Sequence, residues 1–324
     1  MNPSWQSEFA DSFTSPVALL RFLGFSTDEF DTIAATSHFP FRVTRAYAER
    51  IRKGDPQDPL LRQVLPDIAE EQKVSGFNSD PVGDLSSVSH PGVLHKYQGR
   101  ALLITTGACA IHCRYCFRRE FPYEGQQLVK SRENTAIESI AEDPSIQEVI
   151  LSGGDPLVLS NQRLAGLAQS ISRIPHVRRL RIHSRLPVVL PSRVDHELLE
   201  IFDTVRLKVV IVIHANHPHE LDQSVRLAIE AMTRSRITVL NQSVLLRAIN
   251  DDADCLTELS DKLFEFGAMP YYLHLLDRVN GTAHFEVSED RAKQLMEDLR
   301  KRLPGYLVPK LVREIPGTPY KQPI

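Results

Sequence analysis

"ALLITTGACAIHCRYCFRRE", residues 101–120, runs from a short apolar segment directly into three cysteines and a pair of arginines. "ALLITT" (101–106) reads as a buried β-strand. Five further runs read the same way: "QEVILS" (147–152), "RRLRIHS" (178–184), "LKVVIVI" (207–213), "RITVLNQ" (236–242) and "PYYLHLL" (270–276). Between them lie segments such as "RLAGLAQSISRI", "ELDQSVRLAIEAM" and "CLTELSDKLFEF", whose apolar residues recur at helical spacing. Six strand–helix units in series predict an α/β fold on a parallel sheet, either open and doubly wound or curled into a full or partial barrel. Both forms collect ligands at the carboxyl ends of the strands. The chemically loaded residues fall there: the cysteines after the first strand, "SGGDP" (152–156) at the second, His183 and Arg185 at the third, His214 at the fourth, Asn241 and Gln242 at the fifth, and Asp277 at the sixth.

Upstream of residue 90 the pattern is weaker. "SPVALLRFLGF" (15–25) and "DPLLRQVLPDIAEEQ" (58–72) read as helical, and "SGFNSDPVGDLSSVSHPGV" (75–93) as a loop. The expected division is an N-terminal helical region and linker over 1–95, a strand–helix core over 96–285, and a C-terminal helix and tail segment over 286–324.

With 42% hydrophobic residues, 24% charged residues and a net charge of −3 over 324 residues, the composition gives no general attraction to nucleic acid. No apolar run approaches the ~20 residues of a membrane helix, and "MNPSWQSEFADSF" lacks the basic-then-apolar order of a signal peptide. A cytoplasmic protein is expected, in which clustered thiols stay reduced and bind metal or do chemistry.

Three of the four cysteines, Cys109, Cys113 and Cys116, fall within eight positions. CxxxCxxC spacing in one loop lets three thiolates meet one 4Fe–4S cluster and leaves one iron open. A structural zinc site would want a fourth ligand, for which His112 is the neighbouring candidate. Cys255 shares a helical face with Leu259 and Leu263 and reads as a small core residue.

At these residues the sequence resembles the radical S-adenosylmethionine enzymes, whose CxxxCxxC follows the first strand of a partial (β/α)6 barrel. Tyr115 fills the aromatic position before the third cysteine. Ser152, Gly153, Gly154 and Asp155 resemble the glycine-rich segment that meets the methionyl amine. The resemblance narrows to the lysine 2,3-aminomutase group through "DPLLRQVLP", "HKYQGR", "CRYCFRRE", "LSGGDPL", "SRLPVVLP", "HANHP", "NQSVLLRAIND" and "PYYLHLLD", in order from about residue 56. It implies three cofactors: a 4Fe–4S cluster on Cys109, Cys113 and Cys116, S-adenosylmethionine, and pyridoxal phosphate.

In "VPKLVREIPGTPYKQPI" (308–324) the resemblance puts Lys321 at the Schiff-base position, although a lysine there also reads as a solvated tail residue. It gives Arg118 to the substrate carboxylate, a role suited to a planar guanidinium, with Arg119 as its neighbouring rival. Lys96, Tyr97 and Arg100 resemble pyridoxal-phosphate contacts, and His214 and Gln242 resemble S-adenosylmethionine contacts or polar core residues. Asp277 and Glu314 resemble the pair that grips the distal ammonium of lysine. Glu314 stands where an aspartate is usual, and "KLVRE" equally fits a surface pattern pairing it with Arg313 or Lys310.

Longer members continue past the lysine into an oligomerisation segment, so a homo-oligomer, if formed, is expected to be smaller or built differently. The short form resembles the aminomutase that makes (R)-β-lysine for elongation factor P. That implies partners in lysine, a flavodoxin or ferredoxin as electron donor, and elongation factor P with its β-lysine ligase, and no nucleic acid or membrane. A catabolic or osmolyte-producing aminomutase, or one acting on another amino acid, is the alternative.

Overall fold

The computed structural model describes residues 4–26 and 39–324. Residues 1–3 and 27–38 of the expected N-terminal helical region lie outside the described residues. Among the described residues, ten strands join one sheet in sequence order: β1 (Val88–His90), β2 (Val93–Tyr97), β3 (Arg100–Thr106), β4 (Glu148–Gly153), β5 (Arg179–Ser184), β6 (Lys208–Ile213), β7 (Thr238–Val244), β8 (Met269–His274), β9 (Lys310–Arg313) and β10 (Gln322–Pro323). From β3 to β9 every neighbouring pair is parallel, while β1–β2, β2–β3 and β9–β10 are antiparallel. β1 and β10 do not pair with each other, so the barrel is partial, as expected. The six expected strands are β3 to β8.

Each parallel connection carries a helix: α3 (Glu133–Ala141), α4 (Asn161–Ser172), α5 (His196–Asp203), α6 (Gln223–Arg234), α7 (Ala253–Phe266) and α8 (Glu289–Arg302), after α1 (Trp5–Ala10) and α2 (Pro16–Phe22) near the start of the chain. Side chains of Ser160, Asp195, Asp222, Asp252 and Ser288 accept from the first free amides of α4 to α8, which fixes where each helix begins. Leu164, Leu167, Ile171, Val225 and Ile229 pack onto the sheet residues Leu151, Ile182, Ile211 and Ile213 in one core, which also takes in Trp5, Leu19, Tyr47 and Leu61 from the N-terminal region. Leu295, Met296 and Leu299 of α8 form a second core with Leu273 and Leu311.

Three sequence expectations change. "DPLLRQVLPDIAEEQ" forms two separate 3-10 turns, Leu61–Gln63 and Ile68–Glu71. Pro66 lies between them, and a proline both lacks the amide a helix needs and disfavours helical backbone at the preceding residue. The segment read as a loop, 75–93, ends in β1 and the start of β2, a hairpin turning at Pro91 and Gly92 with Gly92 at φ 91°. The tail adds a seventh parallel strand, β9, and the short β10. Lys321 is thereby carried to the sheet beside β9.

Candidate active site

A cavity of about 930 Å3 opens at the carboxyl ends of the parallel strands, and every residue singled out above as a cofactor or substrate contact lines it except Arg119. The cysteine loop forms one wall. Its turns are closed by the Cys116 amide donating to the Cys113 carbonyl at 3.1 Å and the Arg119 amide to Cys116 at 3.2 Å. Behind the loop, the amides of Gly154 and Asp155 donate to the carbonyls of Thr106 and Ala108 at 2.7 and 2.8 Å. This close approach explains the glycine pair: a Cβ on Gly153, at φ 121°, would lie 2.5 Å from the Thr106 oxygen, and one on Gly154 would collide with the Ala108 carbonyl.

Burial, and then the neighbouring cysteines, push the Cys109 thiol well above its ordinary range and Cys116 to about 11. Cys109 and Cys116 thus resist ionising beside a third cysteine, so a cationic centre among the three is the partner that would stabilise thiolates there. Among the described residues, no three His, Cys, Asp or Glu side chains close on a single point as one metal ion requires. A cluster instead takes each thiolate at a different iron. His112 stacks on Phe39 with ring centroids 5.5 Å apart, and burial, with Arg42 and Arg114 nearby, lowers its pKa to about 4. Cys255 is half-buried on α7, and its sulfur faces the Ile249 carbonyl at 4.0 Å.

The opposite wall is a ladder of charges. Lys321 Nζ donates to Glu314 Oε2 at 2.7 Å, and Lys96 Nζ to Glu314 Oε1 at 2.9 Å. Lys96 reaches on to Asp84 Oδ1 at 2.6 Å. Arg118 Nε donates to Asp84 Oδ2 at 2.7 Å, and its Nη1 to Ser152 Oγ at 3.0 Å. Burial opposes ionisation of Glu314 and Asp84, but the flanking cations outweigh it and hold both carboxyls below the usual range. Glu314 therefore makes neither of the surface pairs its sequence allowed: Arg313 points away to Glu289 at 3.0 Å, as alternation along β9 and its continuation requires. Lys321 is part-buried and sits 6.0 Å from the Tyr272 ring, so it is not a solvated tail residue.

Asp277 differs from its neighbour. Burial, reinforced by Glu314 and opposed by Lys321 and Lys96, raises its carboxyl to about 7. Tyr97 also lies against Glu314, and burial first, then that carboxylate, raises its phenol. Arg100 stacks over the Tyr97 ring at 5.1 Å. Across the cavity, His183 and His214 meet edge to face at 5.7 Å, and burial drives both pKa values down, His214 to about 4. His214 Nε2, Gln242 Oε1 and His274 Nε2 are buried without a protein partner. Orphaned polar atoms in a ligand-sized cavity fit a polar ligand.

Two expected contacts serve the scaffold. The Asp155 carboxylate accepts from Leu157 N, Ser184 Oγ, Arg185 N and Leu186 N at 2.7 to 3.1 Å, tying the end of β4 to that of β5. Arg119 does not reach the cavity: with Arg114 it brackets the Glu70 carboxylate. Sequence reasoning missed Asp84, which is only 2% exposed. In "PVGDLSS" it looks like any turn aspartate, and no local signal marks it.

Residues 98–180 match the family model for a 4Fe-4S single cluster domain. The chain is 48% identical to the L-lysine 2,3-aminomutase of Escherichia coli (strain K12), over 99% of this chain and 94% of the relative. It is 31% identical to the L-lysine 2,3-aminomutase of Clostridium subterminale, over 99% of this chain and 77% of the relative. Among solved structures it is similar to a radical SAM methyltransferase from Sphaerobacter thermophilus, at 15% identity over 68% of each chain with a TM-score of 0.44. Near-complete coverage at close to half identity leaves one conclusion: the chain belongs to the lysine 2,3-aminomutase family.

Proposed function

We propose that this protein isomerises L-α-lysine to (R)-β-lysine. The observation that carries the reading is a single cavity with three cysteines on one wall and a lysine–carboxylate ladder on the other. When bound, a 4Fe–4S cluster with S-adenosylmethionine supplies a radical able to take hydrogen from an unactivated carbon, and pyridoxal phosphate supplies the π system through which nitrogen moves to the adjacent carbon.

The chain's own part is to hold and orient. Cys109, Cys113 and Cys116 hold the cluster, and the glycine pair, His214 and Gln242 present backbone and orphaned polar atoms to S-adenosylmethionine. Lys321 carries pyridoxal phosphate, with Lys96, Tyr97 and Arg100 beside it. Arg118, already aligned by Asp84 and Ser152, takes the substrate carboxylate; a bidentate fork resists rotation where a point charge would not. Asp277 and Glu314 take the distal ammonium, a buried cation that needs a paired carboxylate. Depth in the cavity keeps water from a reactive intermediate.

The product would serve modification of elongation factor P through a β-lysine ligase, in the cytoplasm, with a flavodoxin or ferredoxin as the electron donor and with the chain alone or as a homo-oligomer. The test is direct. Anaerobically reconstituted protein is given lysine, S-adenosylmethionine and a reductant, and the product is resolved by chiral chromatography. (R)-β-lysine supports the assignment; unchanged lysine, or turnover of a different amino acid, overturns it. Coupled assay with elongation factor P and its ligase then tests the destination.

A further inference from the structure

Arg185 follows β5, and the proposed reaction gives it no part. Its guanidinium is nonetheless placed with care. Its backbone amide donates to Asp155 Oδ2 at 2.8 Å, fixing the start of the side chain. Nη1 lies 2.7 Å from Cys113 Sγ. Nη2 donates to Gln63 Oε1 and to Glu220 Oε2, both at 2.8 Å. The rings of Tyr47 and Tyr115 face the guanidinium at 5.4 and 5.7 Å. Arg185 is 6% exposed and Glu220 is fully buried. Glu220 is itself held, its Oε1 accepting from the amides of Asn216 and His217 at 2.9 and 3.2 Å. A cation locked on four sides cannot swing away from the cysteine.

We infer that Arg185 is a positioning residue that sets the reduction potential of the cluster held by Cys109, Cys113 and Cys116. The inference rests on the cluster reading above. Three thiolates on a 4Fe–4S core of charge 2+ give a net charge of −1, and one electron from a low-potential one-electron donor takes the core to 1+ and the net charge to −2. A fixed cation at one sulfur stabilises the more negative state, and an N–H directed at that sulfur withdraws electron density from it. Burial keeps solvent from screening the effect. Glu220 occupies the other terminal nitrogen of the guanidinium and works in the opposite sense.

That opposition supplies the test. Wild type, Arg185→Lys, Arg185→Gln and Glu220→Gln are loaded with iron and sulfide, assayed for both, and titrated potentiometrically with the reduced cluster read by electron paramagnetic resonance. At the wild-type midpoint, Arg185→Gln is expected to lower the ratio of reduced to oxidised cluster about tenfold, which is about 59 mV for one electron. Arg185→Lys keeps most of the wild-type ratio, and Glu220→Gln raises it. Unchanged midpoints, or shifts of the same sign for Arg185→Gln and Glu220→Gln, overturn the inference, because general damage to the site would not reverse sign between them. If Arg185→Gln takes up no iron, the Glu220→Gln titration decides by its sign. Wild-type protein that binds no iron overturns the cluster reading instead.

Discussion

The two walls of the cavity are built in opposite ways. The cysteine wall comes from one loop, residues 109–116, held in shape by its own backbone turns and by glycines that let another turn press against it. The lysine wall is assembled from Asp84, Lys96, Arg118, Glu314 and Lys321, which come from three separate stretches of chain and meet only once β2, β9 and β10 have joined the sheet. A soft metal cluster needs thiolates at short spacing, which a loop supplies. A charged organic ligand needs alternating charges over a longer span, which only tertiary structure supplies.

If the walls are independent, variants in one leave the other's readout intact. The largest effect is expected at the loop: alanine at Cys109, Cys113 or Cys116 abolishes bound iron and cleavage of S-adenosylmethionine, while pyridoxal phosphate still binds. Iron content measured on each purified variant checks this, and iron surviving all three changes would sink the cluster assignment. On the other wall, Lys321→Ala is expected to lose the visible absorption of lysine-bound pyridoxal phosphate and keep the iron–sulfur spectrum. An unchanged band would move the attachment to another lysine.

Asp84 is where the comparison breaks, since it touches Arg118 beside the cysteines and Lys96 beside Glu314. Asp84→Ala leaves the buried Arg118 without a carboxylate and the part-buried Lys96 with Glu314 alone, and is expected to cost about 3–5 kcal/mol of stability, with both cofactor sites weakened. Denaturant unfolding alongside cofactor titrations would show it; loss confined to one wall would argue against the link.

A gentler probe is pH. The Asp277 carboxyl titrates near 7, so it is neutral below that value and anionic above, while the distal ammonium of lysine stays charged throughout. Apparent affinity for lysine is therefore expected to rise with pH through about 7, and Asp277→Asn is expected to remove that limb and raise KM. Parallel profiles for the two proteins would take Asp277 out of the substrate site. The smallest effect belongs to Cys255→Ala, for which iron content and activity near wild type are expected, because the residue stands on α7 away from both walls.

The same contrast governs what could be read in advance. The six central strands are legible because each is a short run rich in apolar and β-branched residues between helical segments, and the cysteines because all three lie within eight positions of one loop. Lys321 and Glu314 were legible only through resemblance; by composition their segment is an ordinary charged tail. The β1–β2 hairpin escaped because its strands are three and five residues long, too short for alternation to emerge from a Ser- and Asp-rich stretch. β9, four residues long, escaped for the same reason. Arg185 stands at a strand end in the sequence, but its partners Gln63 and Glu220 lie far away along the chain, and no local pattern supplies them.

The strictly sequential strand order also bears on synthesis. Each strand pairs only with its neighbours in the chain, so a polypeptide leaving the ribosome meets its partners in the order in which they are made, as vectorial folding favours. The cysteines emerge roughly two hundred residues before Lys321. On the proposed assignment, the nascent chain offers its cysteines to iron before Lys321, the amine proposed to carry pyridoxal phosphate, has been translated, which would give cofactor acquisition a built-in chronology.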